Sequence, residues 1–191
     1  MQSQKLSGEY NLIGIHDMAS GFRFTKDGKF EFFYIYGAID RTATGTYTIE
    51  GDTVKLHSDK EPGKDFLISL QNKKGKGYTI QAKAPNEYLL RNITCIYFMG
   101  EKKEYAQSDE KGLIHFDAPA CDTIYVLHEL FPDIPTLIKD KNNSNNYFEV
   151  SLSPSLGNIS FKGIDLYING DELTCLPNYF MPLNDIRYVK Q

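Results

Sequence analysis

Residues 21–56 constrain the fold more than any other part of the chain, because their turns can be identified from the sequence. Two turns that contain Asp and Gly, Lys26-Asp27-Gly28 and Glu50-Gly51-Asp52, separate runs of apolar and aromatic residues. Asp and Gly favour tight hairpin turns, whose central residues need positive φ. This segment therefore predicts consecutive antiparallel strands, that is, a β-meander.

Strand and turn signals continue along the rest of the chain, at the spacing of about 8–12 residues that is typical of sandwiches and barrels. The chain is therefore predicted to be all-β. Only two short stretches, residues 134–139 and 184–187, have a pattern compatible with a helix. The predicted strands are residues 10–15, 22–25, 29–36, 44–49, 53–57, 66–71, 78–83, 88–99, 103–107, 113–116, 123–128, 148–152, 158–161, 165–168 and 173–176.

The strand pattern restarts after Ala84-Pro85-Asn86, and this restart predicts a domain boundary within residues 84–92. An antiparallel meander or small barrel is expected over residues 1–88, and a β-sandwich over residues 89–191. Residues 29–36 are apolar on both faces of the predicted strand. They predict a central strand that is covered on both sides.

Three stretches resemble known families. Gly8-Glu9-Tyr10 and Gly45-Thr46-Tyr47, within an up-and-down series of hairpins, resemble the lipocalin and calycin pattern and imply a small barrel, although the chain has no Trp. Residues 18–45 are similar to uncharacterised, exported, β-rich bacterial proteins. Residues 104–116, in which an Asp-x-x-Gly turn joins a polar strand to an apolar one, resemble immunoglobulin-like or carboxypeptidase-regulatory-like sandwiches. The last resemblance implies a non-catalytic accessory module.

Charge and hydropathy narrow the range of partners and locations. A net charge of −4 and a pI near 5.6 argue against a nucleic-acid partner. No apolar run approaches the roughly 20 residues of a transmembrane helix. The first residues do not form a signal peptide, yet a chain whose export signal had been removed would start in the same way. The expected location is the periplasm or the outer membrane surface, with a removed lipid anchor as a membrane tether. The cytoplasm is the alternative.

No motif predicts a metal site, a cofactor or a catalytic group. Cys95, Cys121 and Cys175 lack the Cys-x-x-Cys spacing of zinc ribbons and are interpreted as small buried residues. His16-Asp17 and His57-x-Asp59 are weak candidates for a metal or a general base, and surface histidines are the preferred interpretation. Residues 140–146 resemble the start of a calcium loop, but the sixth position is not Gly and the twelfth is not Glu, so a polar loop is favoured.

The strongest candidate site is the corner that follows the aromatic strand. Tyr34, Tyr36, Asp40 and Arg41 flank Gly37 and combine amphipathic rings with charges, as interface hot spots do. The alternative is that they are core-edge and turn residues. The expected function is a non-catalytic exported binding or accessory protein, acting on a partner protein or an apolar small molecule. A small-ligand or haem carrier with a site at the barrel mouth, and a hydrolase with an unrecognised Asp and His site, are the alternatives.

Overall fold

A computed structural model describes residues 5–191 and confirms an all-β fold, with 53% of the chain in strands and 2% helical. Sixteen strands, β1 to β16 in chain order, and one short 3₁₀ helix (Glu87–Leu90) are present in the described part of the chain. The strands are Gly8–Ile13, Met18–Phe24, Lys29–Tyr36, Ile39–Glu50, Thr53–Ser58, Phe66–Asn72, Tyr78–Lys83, Ile93–Met99, Lys102–Gln107, Leu113–Phe116, Thr123–His128, Thr136–Lys139, Tyr147–Leu152, Asp165–Asn169, Glu172–Cys175 and Ile186–Lys190.

The chain divides into two compact units, and the second is inserted into the first. One unit comprises the chain up to Glu61 together with Gly157–Gln191, and the other is Pro62–Leu156. The structure thus differs from the expected division at residues 84–92, which lie inside the second unit. The reason is strand pairing between distant parts of the sequence: β14 to β16 return to pair with β1 and β5, at the opposite end of the chain.

The first unit is a closed eight-stranded barrel with the strand order β1-β16-β15-β14-β5-β4-β3-β2. Five consecutive strands form the predicted meander, and the three C-terminal strands close it. Closure occurs between β1 and β16, where Tyr10 pairs with Lys190 and Ile13 with Arg187. A closed barrel leaves no unpaired sheet edge, so every strand of this unit is bonded on both sides.

The interior of the barrel is a packed aromatic core. Phe22 lies 4.5 Å from Phe32 and 5.0 Å from Tyr188 between ring centroids, and Phe161 lies 5.0 Å from Phe32 in an edge-to-face contact. Such distances are those of rings in direct contact. The buried aromatic residues are Tyr10, Phe22, Phe24, Phe30, Phe32, Tyr34, Tyr47, Phe161, Phe180 and Tyr188.

The second unit contains two four-stranded sheets, with the orders β10-β7-β13-β6 and β12-β11-β8-β9. Their inner faces share one apolar core, so the unit is a β-sandwich. Phe116 of the first sheet stacks on Tyr97 of the second, with ring centroids 3.9 Å apart. All strand pairs are antiparallel except β13 and β7, which run parallel. The core residues include Ile80, Ile93, Cys95, Ile114, Ile124, Val126, Phe148 and Val150.

Most predicted strands agree with the observed ones, and four predictions were wrong. Residues 88–99 were predicted to be one strand, but they form the end of the 3₁₀ helix followed by β8. Asn86 caps this helix, because its side-chain oxygen accepts a hydrogen bond from the Tyr88 backbone N–H. Residues 158–161 contribute only an isolated bridge, between Thr42 and Asn158. Residues 134–139 and 184–187, compatible with short helices, contain β12 and the start of β16 instead. Pairing with neighbouring strands outweighs the weak helical preference of such short segments.

The backbone confirms the predicted turns at Gly28 and Gly51, and a third turn, at Gly170, has the same conformation. Gly28, Gly51 and Gly170 have φ values of 85°, 62° and 63°. The left-handed conformation suits glycine and is strained for residues with a Cβ atom. These three turns connect β2 to β3, β4 to β5, and β14 to β15.

Strand β3 is central, as expected, but only one of its faces is buried. It pairs with β2 and β4, and Phe30, Phe32 and Tyr34 point into the core. On the outer face, Phe33 is 40% exposed and Ile35 is 43% exposed. The expectation of cover on both faces was wrong, because a barrel strand has only one face toward the interior. An uncovered apolar row on the outside of the barrel is the consequence.

Candidate functional site

The structure separates the four predicted site residues onto two faces of the barrel wall. Tyr34 and Arg41 are a cross-strand pair whose side chains are buried, 6% and 1% exposed. Tyr36 is 50% exposed, and Asp40 is also exposed. Tyr36 lies on the same face as Tyr34, at the end of β3, whereas Asp40 and Arg41 point to opposite faces, so the contiguous sequence corner does not become a contiguous site.

Arg41 is bonded within the barrel unit. Its Nη2 donates a hydrogen bond to the Asn158 carbonyl oxygen at 3.0 Å, and its guanidinium carbon lies 6.0 Å from the ring centre of Phe180. Tyr34 packs edge-to-face on the same Phe180 ring at 5.6 Å. Burial raises the pKa of Tyr34, and the charge of Arg41 partly opposes that shift. These contacts connect β3 and β4 to Asn158, before β14, and to Phe180, between β15 and β16.

A groove on the outer face of β1 to β4 is the best-formed candidate site. Its volume is about 580 Å³, and apolar atoms predominate in its wall. The central cross-strand row consists of Asn11, Gly21, Phe33 and Thr42. The lining residues are Glu9, Asn11, Gly21, Phe22, Arg23, Glu31, Phe32, Phe33, Thr42, Ala43 and Thr44.

Gly21 lines the groove and lets neighbouring side chains approach the backbone of β2 closely. A Cβ atom at this position would lie 2.6 Å from Asn11 Oδ1 and 2.8 Å from Phe33 Cε1, closer than real Cβ contacts allow. The side chains of Asn11 and Phe33 therefore extend over the backbone of β2. Glycine in the middle of a strand often marks such a close approach.

Charged groups lie at one end of the groove and apolar groups at the other. Arg23 Nη1 is 3.5 Å from Glu31 Oε2, and both side chains are more than half exposed. Glu9 is the cross-strand partner of Arg23, so two carboxylates flank one guanidinium in the same row. Exposed pairs of this kind contribute about 0–1 kcal/mol to stability. The charged end of the groove therefore contributes little to the stability of the fold.

The apolar end continues along β3 beyond the groove. Phe33 is followed on the same outer face by Ile35, and Tyr36 is exposed where the strand ends. Ala19 of β2 pairs with Ile35 and is also exposed. Isolated exposed apolar residues are ordinary, but a contiguous row beside a groove is typical of a binding surface.

The interior of the barrel has less space for a ligand than the groove on its outer face. The positions of a lipocalin-type cavity are occupied by the aromatic core described above, with ring centroids 4.5–6.3 Å apart around Phe22. Tyr188, in this core, is hydrogen-bonded to Ser20 at 3.2 Å, and burial raises its pKa well above the usual range. The phenol is therefore held as a neutral, buried group.

The metal and acid–base candidates are not assembled into a site. Among residues 5–191, no group of three or more His, Cys, Asp and Glu side chains is arranged to hold a metal ion. Asp59 instead accepts a hydrogen bond from Thr44 Oγ1 at 2.6 Å, and Asp17 is a turn residue with φ of 62°. In the candidate calcium loop, Asp140 Oδ1 accepts hydrogen bonds from the backbone N–H groups of Asn142 and Asn143.

The three cysteines are free thiols, and the prediction that they are buried is confirmed for two of them. Cys95 and Cys121 are buried in the sandwich, and Cys175 is half-buried in the barrel wall. Burial raises the pKa of all three, that of Cys175 to about 11. A thiol with a raised pKa is a poor nucleophile at neutral pH.

Comparisons with known proteins identify no relative. No family model matches the chain, and neither a curated protein nor a solved structure matches it. The function of the groove must therefore be inferred from the chemistry of its own residues.

In the described part of the chain, no helix is long and apolar enough to cross a membrane.

The predicted corner and the groove both include residues of β3, but the groove lies on the outer face of the barrel, where Phe33 and Ile35 were expected to be covered. Gly21 was not predicted to be part of a site. One signal was available: a glycine within an apolar strand, beside a strand with apolar residues on both faces. Together these features indicate a close approach of side chains above the sheet.

Proposed function

We propose that the protein is a binding protein whose ligand occupies the outer groove of the barrel. The observation that carries this proposal is the groove of about 580 Å³ built over Gly21, with Phe33 in its wall. Its size lies in the range of about 300–1,000 Å³ that is usual for small-molecule sites. The apolar part of a small molecule or of a partner protein fits beside Phe33, and a polar group fits beside Arg23 and Glu31.

The wider setting is also a proposal. We infer an exported bacterial accessory protein at the periplasm or outer membrane surface, tethered by a lipid anchor. The immunoglobulin-like character of the sandwich belongs to the same proposal, and it rests on the resemblance of residues 104–116. Fractionation of cells that express the natural gene tests the location: recovery of the protein in the cytoplasm alone would contradict export.

The groove is tested with an amphipathic probe, the dye 1-anilinonaphthalene-8-sulfonate, on the intact chain. We expect dye fluorescence to rise on binding and the backbone amide signals of Gly21 and Phe33 to shift in NMR spectra. Phe33→Ala should weaken binding about tenfold, because it removes a large apolar contact.

Tyr167→Ala is the matched control, since Tyr167 is 38% exposed on β14 of the same barrel but is not a groove residue. Its binding should equal that of the unchanged protein. Dye binding that is equal in the Phe33→Ala variant and the control would contradict the groove as the site. Both variants must first give the native circular dichroism spectrum.

A further inference from the structure

The outer face of the β12-β11-β8-β9 sheet carries a row of large side chains that crosses all four strands. Tyr125 pairs with Leu137 on one side and with Ile96 on the other, and Ile96 pairs with Tyr105. Tyr105 is 58% exposed and Leu137 is 46% exposed, whereas Tyr125 and Ile96 are half-buried. Their strand neighbours Ile124, Val126 and Cys95 point into the core. The row is therefore on the opposite face, outside the sandwich.

The surroundings of the row combine a further ring with hydrogen-bonding groups. Phe98 lies edge-to-face on Tyr125 at 6.1 Å, and the Lys103 amino group lies 5.0 Å from the Tyr105 ring centre. On the other side, Thr94 Oγ1 and Gln107 Nε2 both donate hydrogen bonds to Glu129 Oε1. The charges of Lys103 and Glu129 cancel, so the face has no net charge.

The face is too small to hold a second copy of the chain in a stable dimer. Adjacent strands are ~4.8 Å apart and alternate residues ~7 Å apart, so the face measures on the order of 200–300 Å². A stable protein–protein interface needs about 800 Å² on each partner. A second copy of the chain held by this face alone is therefore too weakly bound, while a small or linear ligand is of suitable size.

We propose that this face binds a neutral oligosaccharide along the row from Leu137 to Tyr105. A sugar ring has apolar C–H groups on its faces and hydroxyl groups around its rim. The two tyrosines, separated by two strand spacings or roughly 10 Å, provide apolar ring surface at two points along a linear chain. Gln107 and Glu129, both exposed, provide a donor and an acceptor at its side. The absence of net charge on the face favours an uncharged ligand over an acidic one.

The test uses the full chain and defined probes: cellohexaose, laminarihexaose, mannohexaose and maltohexaose, titrated separately and followed by NMR and calorimetry. At least one is expected to shift the signals of Ile96, Tyr105 and Tyr125. The variants Tyr105→Ala and Tyr125→Ala are each expected to weaken that binding about tenfold.

Tyr88→Ala is the matched control, because Tyr88 is 79% exposed on the 3₁₀ helix of the same unit and outside the sheet. Its affinity should be unchanged. The proposal is overturned if no probe shifts these residues, or if Tyr105→Ala and Tyr125→Ala bind as tightly as the control. It is also overturned if the protein is a dimer that Tyr125→Ala dissociates. Phe33→Ala, at the barrel groove, should leave sugar binding intact, so the two proposals fail independently.

Discussion

Replacement of Phe32 or Phe33 by Ala tests the assignment of the two faces of β3. The two residues are adjacent and chemically identical, but Phe32 is 3% exposed and Phe33 is 40% exposed. Phe32 contacts the rings of Phe22, Phe161 and Phe180, at 4.5, 5.0 and 5.8 Å. Its removal leaves a cavity inside a closed barrel.

The expected costs follow from burial. Truncation of a core Phe to Ala costs about 3–5 kcal/mol, because the lost transfer free energy is joined by the cost of the cavity. Burial of a whole Phe side chain contributes about 1.5–3 kcal/mol. A little over half of Phe33 is covered and water fills the space that it leaves, so Phe33→Ala should cost about 1–2 kcal/mol. The difference should be roughly 2–3 kcal/mol.

Urea denaturation followed by NMR signals of barrel amides measures these costs. Site-resolved signals are needed because the barrel and the sandwich have separate cores and need not unfold in one transition. Phe32→Ala should lower the midpoint of the barrel signals far more than Phe33→Ala. Equal losses in the two variants, within about 1 kcal/mol, would refute the assignment of the faces.

Three further predictions concern the turn at Gly51, the buried imidazole of His128 and the buried guanidinium of Arg41. Gly51→Val should destabilise the barrel by more than about 1 kcal/mol, because its φ of 62° strains a β-branched residue; an unchanged urea midpoint would contradict this. Burial lowers the pKa of His128, so its contribution to stability is complete above the unfolded pKa of about 6.5 and is lost as pH falls below it. In the His128→Gln variant, the free energy of unfolding should no longer show this decrease as the pH falls. A pH profile identical to that of the unchanged protein would be contrary evidence. Arg41→Ala should cost about 2 kcal/mol or more, because Arg41 is 1% exposed and bonded to Asn158, whereas Tyr36→Ala should cost less than about 1 kcal/mol; the reverse order in thermal melts would exclude a structural role for Arg41.

The prediction for His128 depends on the proton arrangement around its ring. Nε2 lies 3.0 Å from the Leu89 carbonyl oxygen, and Nδ1 accepts a hydrogen bond from the Leu130 backbone N–H at 3.3 Å. Neutral imidazole satisfies both contacts by donating at Nε2 and accepting at Nδ1. A protonated ring would have to give up the second contact inside a buried site.

Local patterns predicted most of the elements but not their assembly. Turns such as Lys26-Asp27-Gly28 were predictable because positive φ is a property of single residues. The aromatic alternation of residues 29–36 likewise predicted a central strand. The burial of Tyr34 and Arg41 within the candidate corner was not predictable from local patterns, because it depends on packing against Phe180, far away in the sequence.

The sequence by itself determined the all-β class, the meander and the tight turns, since these depend on neighbours within a few residues. Only the tertiary structure decided that β14 to β16 close the barrel around an inserted sandwich, because those pairings join residues more than 100 positions apart, such as Tyr10 with Lys190. It also decided which apolar faces remain uncovered. Phe33 and Phe32 are the same residue type in the same strand, and only the curvature of the closed sheet places one in the core and the other on the surface.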